Sequence, residues 1–119
     1  MSSVTYDVLG IGNAIFDVLV RTDEAFLAAQ AMTKGSMALI DEARARAIYD
    51  AMGPATTMSG GSAANTIVGV ASLGARAAYV GKVKDDEVGR AYVHDIRAAR
   101  VAFDTPAAAR GPATGVTRI

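Results

Sequence analysis

Gly60 and Gly61 lie just ahead of Asn65 in the stretch SGGSAANT, which covers residues 59–66. The next residues, IVGVASLG, have the pattern of a buried helix. Glycine lets the backbone approach a partner that a Cβ would obstruct, and the start of a helix leaves several N–H groups unpaired. Because positions i and i+4 lie one above the other on a helix, the N–H of Gly61 and the amide of Asn65 can address the same polar molecule.

A carboxylate, Asp17, interrupts an apolar strand pattern close to Asn13. It must reach solvent, an internal donor or a bound ligand, because burying it unpaired is costly. A carboxylate can accept both hydroxyls of a vicinal diol, so sugar hydroxyls suit these groups. Spacing alone leaves a structural alternative open. In that alternative Asp17 caps a turn, Asn65 bonds neighbouring backbone, and the glycines only permit close packing.

Two other glycine-containing stretches do not match phosphate-binding motifs. The stretch GIGNAI at residues 10–15 begins like a dinucleotide fingerprint, but Ile15 stands where the third glycine belongs and no helix pattern starts there. Gly81-Lys82 is not a Walker motif, because Arg76 replaces its first glycine and Val83 its Ser or Thr. The sequence therefore favours neither an NAD site nor a phosphate-binding loop.

The remaining candidates for metal or acid–base chemistry have simpler explanations. Three acids, Asp85, Asp86 and Glu87, precede a helix pattern. Acidic side chains at a helix start more often interact with the helix dipole than bind a metal. His94 lies off the apolar stripe of that helix and is predicted to be a surface residue. With no cysteine, disulfides and thiolate metal sites are excluded.

The composition indicates one globular domain. The 119 residues are 51% hydrophobic, and 12 basic side chains balance 12 acidic ones, which disfavours nucleic acid as a partner. The richest apolar stretch, residues 8–20, is interrupted by Asn13 and Asp17, so no membrane span is expected. The start, MSSVTYD, lacks the features of a secretory signal, and we expect a cytoplasmic protein.

Hydrophobic periodicity predicts an α/β fold. Helices are expected to begin near Asp23, Asp41, Gly61 and Asp86. Strands are expected at residues 6–12, 14–21, 36–40, 56–59, 76–83 and 101–103. The alternation of strands and helices from Thr56 to Phe103 predicts a parallel sheet covered by helices. The segment from Gly115 to Ile119 would be a terminal strand with an open edge, which indicates a fragment of a longer protein.

From Tyr6 onward the sequence resembles the ribokinase-like, or PfkB-type, carbohydrate and nucleoside kinases. The resemblance rests on GIGNAIFDVLV, GGSAANTIVGVASLG, AAYVGKVKDDEVG, VAFDTP and ATGVTRI, in this order. Within that family, GNAIFD and GGSAANTI with Ile67 are most similar to the adenosine-kinase-like branch. The resemblance implies that residues 1–119 are the N-terminal part of a ribokinase-like kinase domain, with a parallel sheet flanked by helices and a small β lid.

The resemblance also implies roles for individual residues. Asp17 is expected to accept hydrogen bonds from the hydroxyls of the substrate that receives the phosphoryl group. Gly60 and Gly61 are expected to supply backbone contacts to it, and Asn65 a side-chain contact. Asn13 is implied as a purine-side or supporting residue. The lid strands are expected within residues 18–21, 36–40 and 114–119, and the lid offers a surface for a homodimer.

The family's C-terminal half carries a Gly-Ala-Gly-Asp element with the catalytic base, and no such element occurs here. ATP and Mg²⁺ are thus expected for the complete enzyme, with neither bound by this segment, which is expected to be inactive by itself. Arg100 replaces a glycine often seen before the next strand, which puts the helix end there in doubt. The alternative is a stand-alone module that binds a sugar or nucleoside or mediates dimerisation.

Overall fold

A computed structural model describes residues 3–119. The strands are β1 (Val8–Ile11), β2 (Ile15–Leu19), β3 (Thr56–Gly60), β4 (Ala77–Val80), β5 (Val101–Ala102) and β6 (Gly115–Arg118). The helices are α1 (Glu24–Ala29), α2 (Glu42–Ala51), α3 (Ser62–Ser72) and α4 (Glu87–Ala98). The predicted mixture of helices and parallel strands is confirmed.

The parallel sheet has the strand order β1-β4-β5. The sequence correctly predicts β4 and β5 as its members, but the prediction that the strand before Gly60 joins them is wrong. That strand, β3, pairs instead with β2 in antiparallel orientation. The physical reason is composition. Parallel strands covered by helices need nearly continuous apolar residues, and the polar sequence of β3, TTMSG, cannot supply them.

The second sheet has the order β3-β2-β6, with β2 and β6 parallel. Two of the predicted lid segments contribute to it, since β2 overlaps residues 18–21 and β6 lies within residues 114–119. The strand predicted at 36–40 is wrong, because that segment is irregular and β3 is the third strand. Its alternating apolar side chains do not face a core: Met37 is 80% exposed and Leu39 is 94% exposed. Whether such a short run forms a strand depends on the available pairing partners more than on its local β propensity.

Aspartates cap three of the helices. The side chain of Asp23 accepts a hydrogen bond from the N–H of Phe26, and Asp41 and Asp86 do the same at the starts of α2 and α4. These caps confirm the predicted helix starts. In contrast, α3 has Gly61 as its N-cap and no capping side chain. Within residues 3–119, each helix is too short or too polar to cross a membrane.

The ends of α3 and α4 both use left-handed backbone. Gly74 follows α3 with a φ of 95°, as expected for a glycine that ends a helix. Arg100 follows α4 with a φ of 66°. The helix therefore ends in the usual geometry although Arg100 replaces a glycine, at a cost of roughly 1 kcal/mol in conformational strain.

An aromatic cluster forms the centre of the core. Tyr79, Tyr92 and Phe103 are nearly fully buried, and the rings of both tyrosines lie 6.1 Å from that of Phe103. Tyr92 comes from α4, which contacts β5 of the parallel sheet and also β2 and β3 of the second sheet. The cluster therefore packs α4 against both sheets at once.

Asp86 also joins α4 to β6. Besides capping the helix, its carboxylate accepts hydrogen bonds from the backbone N–H and the hydroxyl of Thr114, at 3.0 and 2.7 Å. Thr114 is 5% exposed, and its hydroxyl oxygen accepts a bond from the N–H of Lys84 at 2.9 Å. We call this set of bonds the Asp86–Thr114 clasp. It fixes the start of β6 relative to α4.

We predict that Asp86→Ala destabilises the protein by about 1–2 kcal/mol, the range for loss of a helix cap. Asp85→Ala is the matched control, because the Asp85–Arg90 pair is exposed on both sides and such pairs contribute roughly 0–1 kcal/mol. Urea unfolding of the purified variants, followed by circular dichroism, measures both effects. Equal losses in the two variants would contradict the clasp.

The clasp should also depend on pH. Burial by itself raises the pKa of Asp86, but hydrogen bonds from Thr114 and Gly89 and the charge of Lys84 bring that pKa below its usual 3.8. A lowered folded-state pKa stabilises the protein above the unfolded-state value of about 3.9, and this stabilisation is lost as the pH falls through the folded-state pKa. The difference in unfolding free energy between wild type and Asp86→Ala should therefore be constant near neutrality and shrink below about pH 4. A difference that persists unchanged in acid would contradict this assignment.

Candidate functional site

The junction between β3 and α3 brings the backbone against the turn that joins β1 to β2. Gly61, at this junction, has a φ of 96°, which L side chains rarely adopt. A Cβ added there would lie 2.6 Å from the carbonyl oxygen of Asn13 and 3.7 Å from the N of Ile15. Glycine is therefore required for two reasons, conformation and space. The close approach at this position is to the protein's own backbone, as in the structural alternative, and the approach of a ligand stays a prediction.

Asp17 lies in the middle of β2, opposite Met58 of β3. Its side chain packs against Gly60, where an added Cβ would run into both carboxylate oxygens. Asp17 is only partly exposed. The hydrogen bonds and ion pairs found within residues 3–119 leave its carboxylate without a partner. An unpaired, half-buried carboxylate is well suited to accept hydrogen bonds from the hydroxyls of a ligand.

Both asparagines lie at the same junction with exposed side chains. Asn13 is in the turn after β1, and its carbonyl oxygen is the atom that a Cβ added at Gly61 would meet first. Asn65 lies one turn into α3, where its N–H donates to the carbonyl oxygen of Gly61 at 2.8 Å. The structure thus brings together at one junction the residues predicted from sequence, which are Asn13, Asp17, Gly60, Gly61 and Asn65.

The N-terminus of α3 adds a favourable electrostatic environment. Its first turn holds no acidic residue, and its cap, Gly61, offers no side-chain acceptor. The first N–H groups of a helix have no partner within the helix, and the dipole makes this end partly positive. Hydrogen-bond donors and the Asp17 acceptor therefore lie on adjacent parts of the same junction.

A groove of about 240 Å³ runs between α3 and α4 beside this junction. Its lining residues are Ser59, Gly60, Ala64, Asn65, Val68, Tyr92, Asp95, Ile96 and Ala99. The sequence pattern marks neither Tyr92 nor Asp95 as a site residue. No local signal could have identified them, because their partners on β3 are distant in the sequence.

Two hydrogen bonds connect α4 to the end of β3. The hydroxyl of Tyr92 donates to the carbonyl oxygen of Gly60 at 3.4 Å, and the hydroxyl of Ser59 donates to Oδ2 of Asp95 at 2.8 Å. Burial raises the pKa of Tyr92, so its phenol stays protonated and able to donate at neutral pH. The last two residues of β3 are consequently held from the α4 side.

The acidic run and the histidine have the structural roles predicted for them. Asp86 is a helix cap and Asp85 pairs with Arg90 at 2.8 Å. The side chain of His94 is 82% exposed and lies 3.4 Å from Oδ1 of Asp95. The part of the chain that the structure describes contains no group of three or more His, Asp or Glu side chains arranged to hold a metal ion.

Comparison with known proteins gives consistent results. The model of the pfkB family carbohydrate kinases matches residues 38–117. An adenosine kinase from Sinorhizobium meliloti has a similar structure, with a TM-score of 0.86, 51% identity and coverage of 97% of this chain. A probable sugar kinase from Rhizobium etli has a TM-score of 0.86, 45% identity and coverage of 98%. The chain spans 35% of the length of each of these two proteins.

More distant structures share the fold. The adenosine kinase from Schistosoma mansoni in complex with adenosine and AMP has a TM-score of 0.81 over 99% of this chain and 37% of its own, at 23% identity. No curated protein matches the chain. At this low identity the Schistosoma structure supports the fold alone.

We predict that Gly61→Ala destabilises the protein by about 1–3 kcal/mol, the range for a residue held in an unfavourable backbone conformation. Gly69→Ala, within α3, is the matched control, since nothing lies within 4 Å of an added Cβ there. Alanine inside a helix should stabilise by roughly 0.5–1 kcal/mol. Thermal unfolding should give shifts of opposite sign, and a Gly61→Ala variant as stable as wild type would contradict the described junction.

Proposed function

Since the chain belongs to the pfkB family of carbohydrate kinases, we propose that it forms the acceptor-binding part of an ATP-dependent kinase. The acceptor we propose is a nucleoside such as adenosine, phosphorylated on its hydroxymethyl group, with a simple sugar as the second candidate. The observation that carries the proposal is the unpaired Asp17 carboxylate packed against Gly60. The relative at 51% identity is an adenosine kinase, and the probable sugar kinase at 45% identity keeps the second candidate open.

In this proposal Asp17 accepts hydrogen bonds from two neighbouring hydroxyls of the acceptor. A carboxylate has two oxygens with several lone-pair sites, so it can hold both hydroxyls of a ribose diol. Bonds to a charged acceptor are about twice as strong as neutral ones. The position of the carboxylate in the middle of β2 limits its movement, which fixes the orientation of the sugar ring.

The donors in the proposed site come from the start of α3. The backbone N–H of Gly61 and the side-chain amide of Asn65 donate to sugar oxygens, and Asn13 supports the site from the facing turn. Donors on one side and a carboxylate on the other distinguish a polyhydroxyl acceptor from an anion. A phosphate at this helix start would be repelled by Asp17.

We propose that the residues that bind ATP, the phosphoryl donor, lie outside this segment. ATP and Mg²⁺ supply the phosphoryl group and its charge neutralisation in the complete enzyme. The residues described offer no cluster suited to holding the metal, so we assign this segment no part in holding it. Phosphoryl transfer depends on positioning both substrates, and we therefore expect the 119-residue chain to be inactive by itself.

The parallel sheet provides a surface on which the rest of such an enzyme could pack. β1 is at one edge of its sheet, paired only with β4 among the described residues. Leu9 and Ile11 on β1 are 57% and 74% exposed, and Val80 on β4 is 39% exposed. Exposed apolar residues on a sheet normally mark a surface that another element covers. We propose the missing C-terminal part of the kinase as that element.

The direct test of the reaction uses the complete protein with ATP, magnesium and a panel of nucleosides and sugars. We expect phosphorylation of a nucleoside, and adenosine first among those tested. Phosphorylation of sugars alone would favour the second candidate. A complete protein that phosphorylates no member of the panel would make the kinase proposal wrong.

Asp17→Ala tests the proposed site within that enzyme. We expect kcat/KM for the acceptor to fall about 10²-fold or more, the loss for removing hydrogen bonds to a charged group, while the affinity for ATP changes little. Asp50→Ala, which removes an exposed carboxylate from α2, is the control and should leave both unchanged. Steady-state kinetics with each substrate varied separately measures the two effects. Equal losses toward acceptor and ATP would indicate that Asp17 has only a structural role.

A further inference from the structure

We infer that Tyr92 is a positioning residue for acceptor binding, acting through the carbonyl oxygen of Gly60 to orient the N–H of Gly61. The inference rests on the proposed function and adds a residue that itself makes no contact with the acceptor. In this inference α4 helps to set the geometry of the site, through Tyr92 and Asp95.

The bonds from α4 reach consecutive residues of β3. Tyr92 and Asp95 are three positions apart on α4 and therefore share one face of the helix. Tyr92 bonds the carbonyl of Gly60, and Asp95 bonds the hydroxyl of Ser59. The strand end that leads into the site is thus attached to α4 at two neighbouring points.

The hydrogen bond from Tyr92 controls the direction of a group in the site because a peptide unit is planar. The C=O of Gly60 and the N–H of Gly61 belong to the same trans peptide and point in opposite directions. Fixing the oxygen consequently fixes the N–H. The pairing of Gly60 with Ile15 of β2 restrains one side of this peptide, and because neither glycine has a side chain the bond from Tyr92 is the restraint on the α4 side.

Burial makes this restraint effective. Tyr92 has no exposed surface, and its hydroxyl does not compete with solvent for the carbonyl oxygen. A hydrogen bond in such surroundings is stronger than the same bond in water. Its phenol also stays protonated, because burial raises its pKa. The interaction is therefore constant over the neutral pH range.

Tyr79 provides an internal comparison. It is 1% exposed, and its ring lies at the same 6.1 Å from Phe103 as that of Tyr92. Its hydroxyl, however, has no hydrogen-bond partner among the described residues. The ring of Tyr79 is stacked on Phe103 whereas that of Tyr92 meets it edge-on, and of the two hydroxyls only that of Tyr92 is hydrogen-bonded to the end of β3.

The test compares Tyr92→Phe with Tyr79→Phe in the complete enzyme. At 3.4 Å the bond from Tyr92 is longer than a usual O–H···O bond, so its loss corresponds to the low end of hydrogen-bond strength, roughly a two- to threefold change. We expect Tyr92→Phe to raise KM for the nucleoside by that factor with KM for ATP unchanged, and Tyr79→Phe to leave both unchanged. Ser59→Ala, which removes the second bond at the strand surface, should raise the nucleoside KM in the same direction and provides the test if Tyr92→Phe does not fold.

2′-Deoxyadenosine and 3′-deoxyadenosine separate positioning from packing, because each lacks one of the two ribose hydroxyls. With the one that lacks the oxygen bonded by the N–H of Gly61, the effect of Tyr92→Phe should nearly disappear, since the oriented N–H no longer has a partner. An unchanged nucleoside KM, an equal rise in both KM values, or a full effect on both deoxynucleosides would overturn the inference. If the wild-type enzyme phosphorylates no nucleoside or sugar, the proposed function fails and this role fails with it, whereas an active wild type with an unaffected variant rejects Tyr92 alone.

Discussion

The contact between the Asp17 carboxylate and Gly60 is the constraint on which the rest of the site depends. The carboxylate can lie over β3 only because Gly60 has no side chain, and the chain can turn into α3 only because Gly61 adopts a positive φ. The two glycines therefore serve different purposes. Gly60 leaves room for the Asp17 carboxylate, and Gly61 lets the backbone turn into α3.

This junction is stabilised from several directions by interactions that are distant in the sequence. β2 supplies Asp17 through its pairing with β3, and the turn after β1 supports Gly61 through the carbonyl of Asn13. On the other side α4 contacts β3, and the Asp86–Thr114 clasp fixes β6 beside β2. The residues of the junction are consequently held in place by both sheets and by α4, which contacts both.

Local patterns and the family resemblance were enough to predict most elements and the residues Asn13, Asp17, Gly60, Gly61 and Asn65, but not the partners of β3 on α4. Aspartate caps, glycine at helix ends and apolar periodicity act over a few residues, so they can be recognised without knowledge of the fold. Sheet membership could not be predicted in the same way. The assignment of β3 to the second sheet, the irregular segment at 36–40 and the bond from Tyr92 to Gly60 all depend on contacts between distant residues.

The family membership indicates phosphoryl transfer to an acceptor. Our central proposal is that the residues of this junction orient that acceptor. The most direct measurement is a crystal structure of the complete protein with a bound nucleoside. We predict both ribose hydroxyls within hydrogen-bonding distance of the Asp17 carboxylate and a sugar oxygen on the N–H of Gly61. A nucleoside bound elsewhere, with Asp17 facing only solvent, would contradict this proposal.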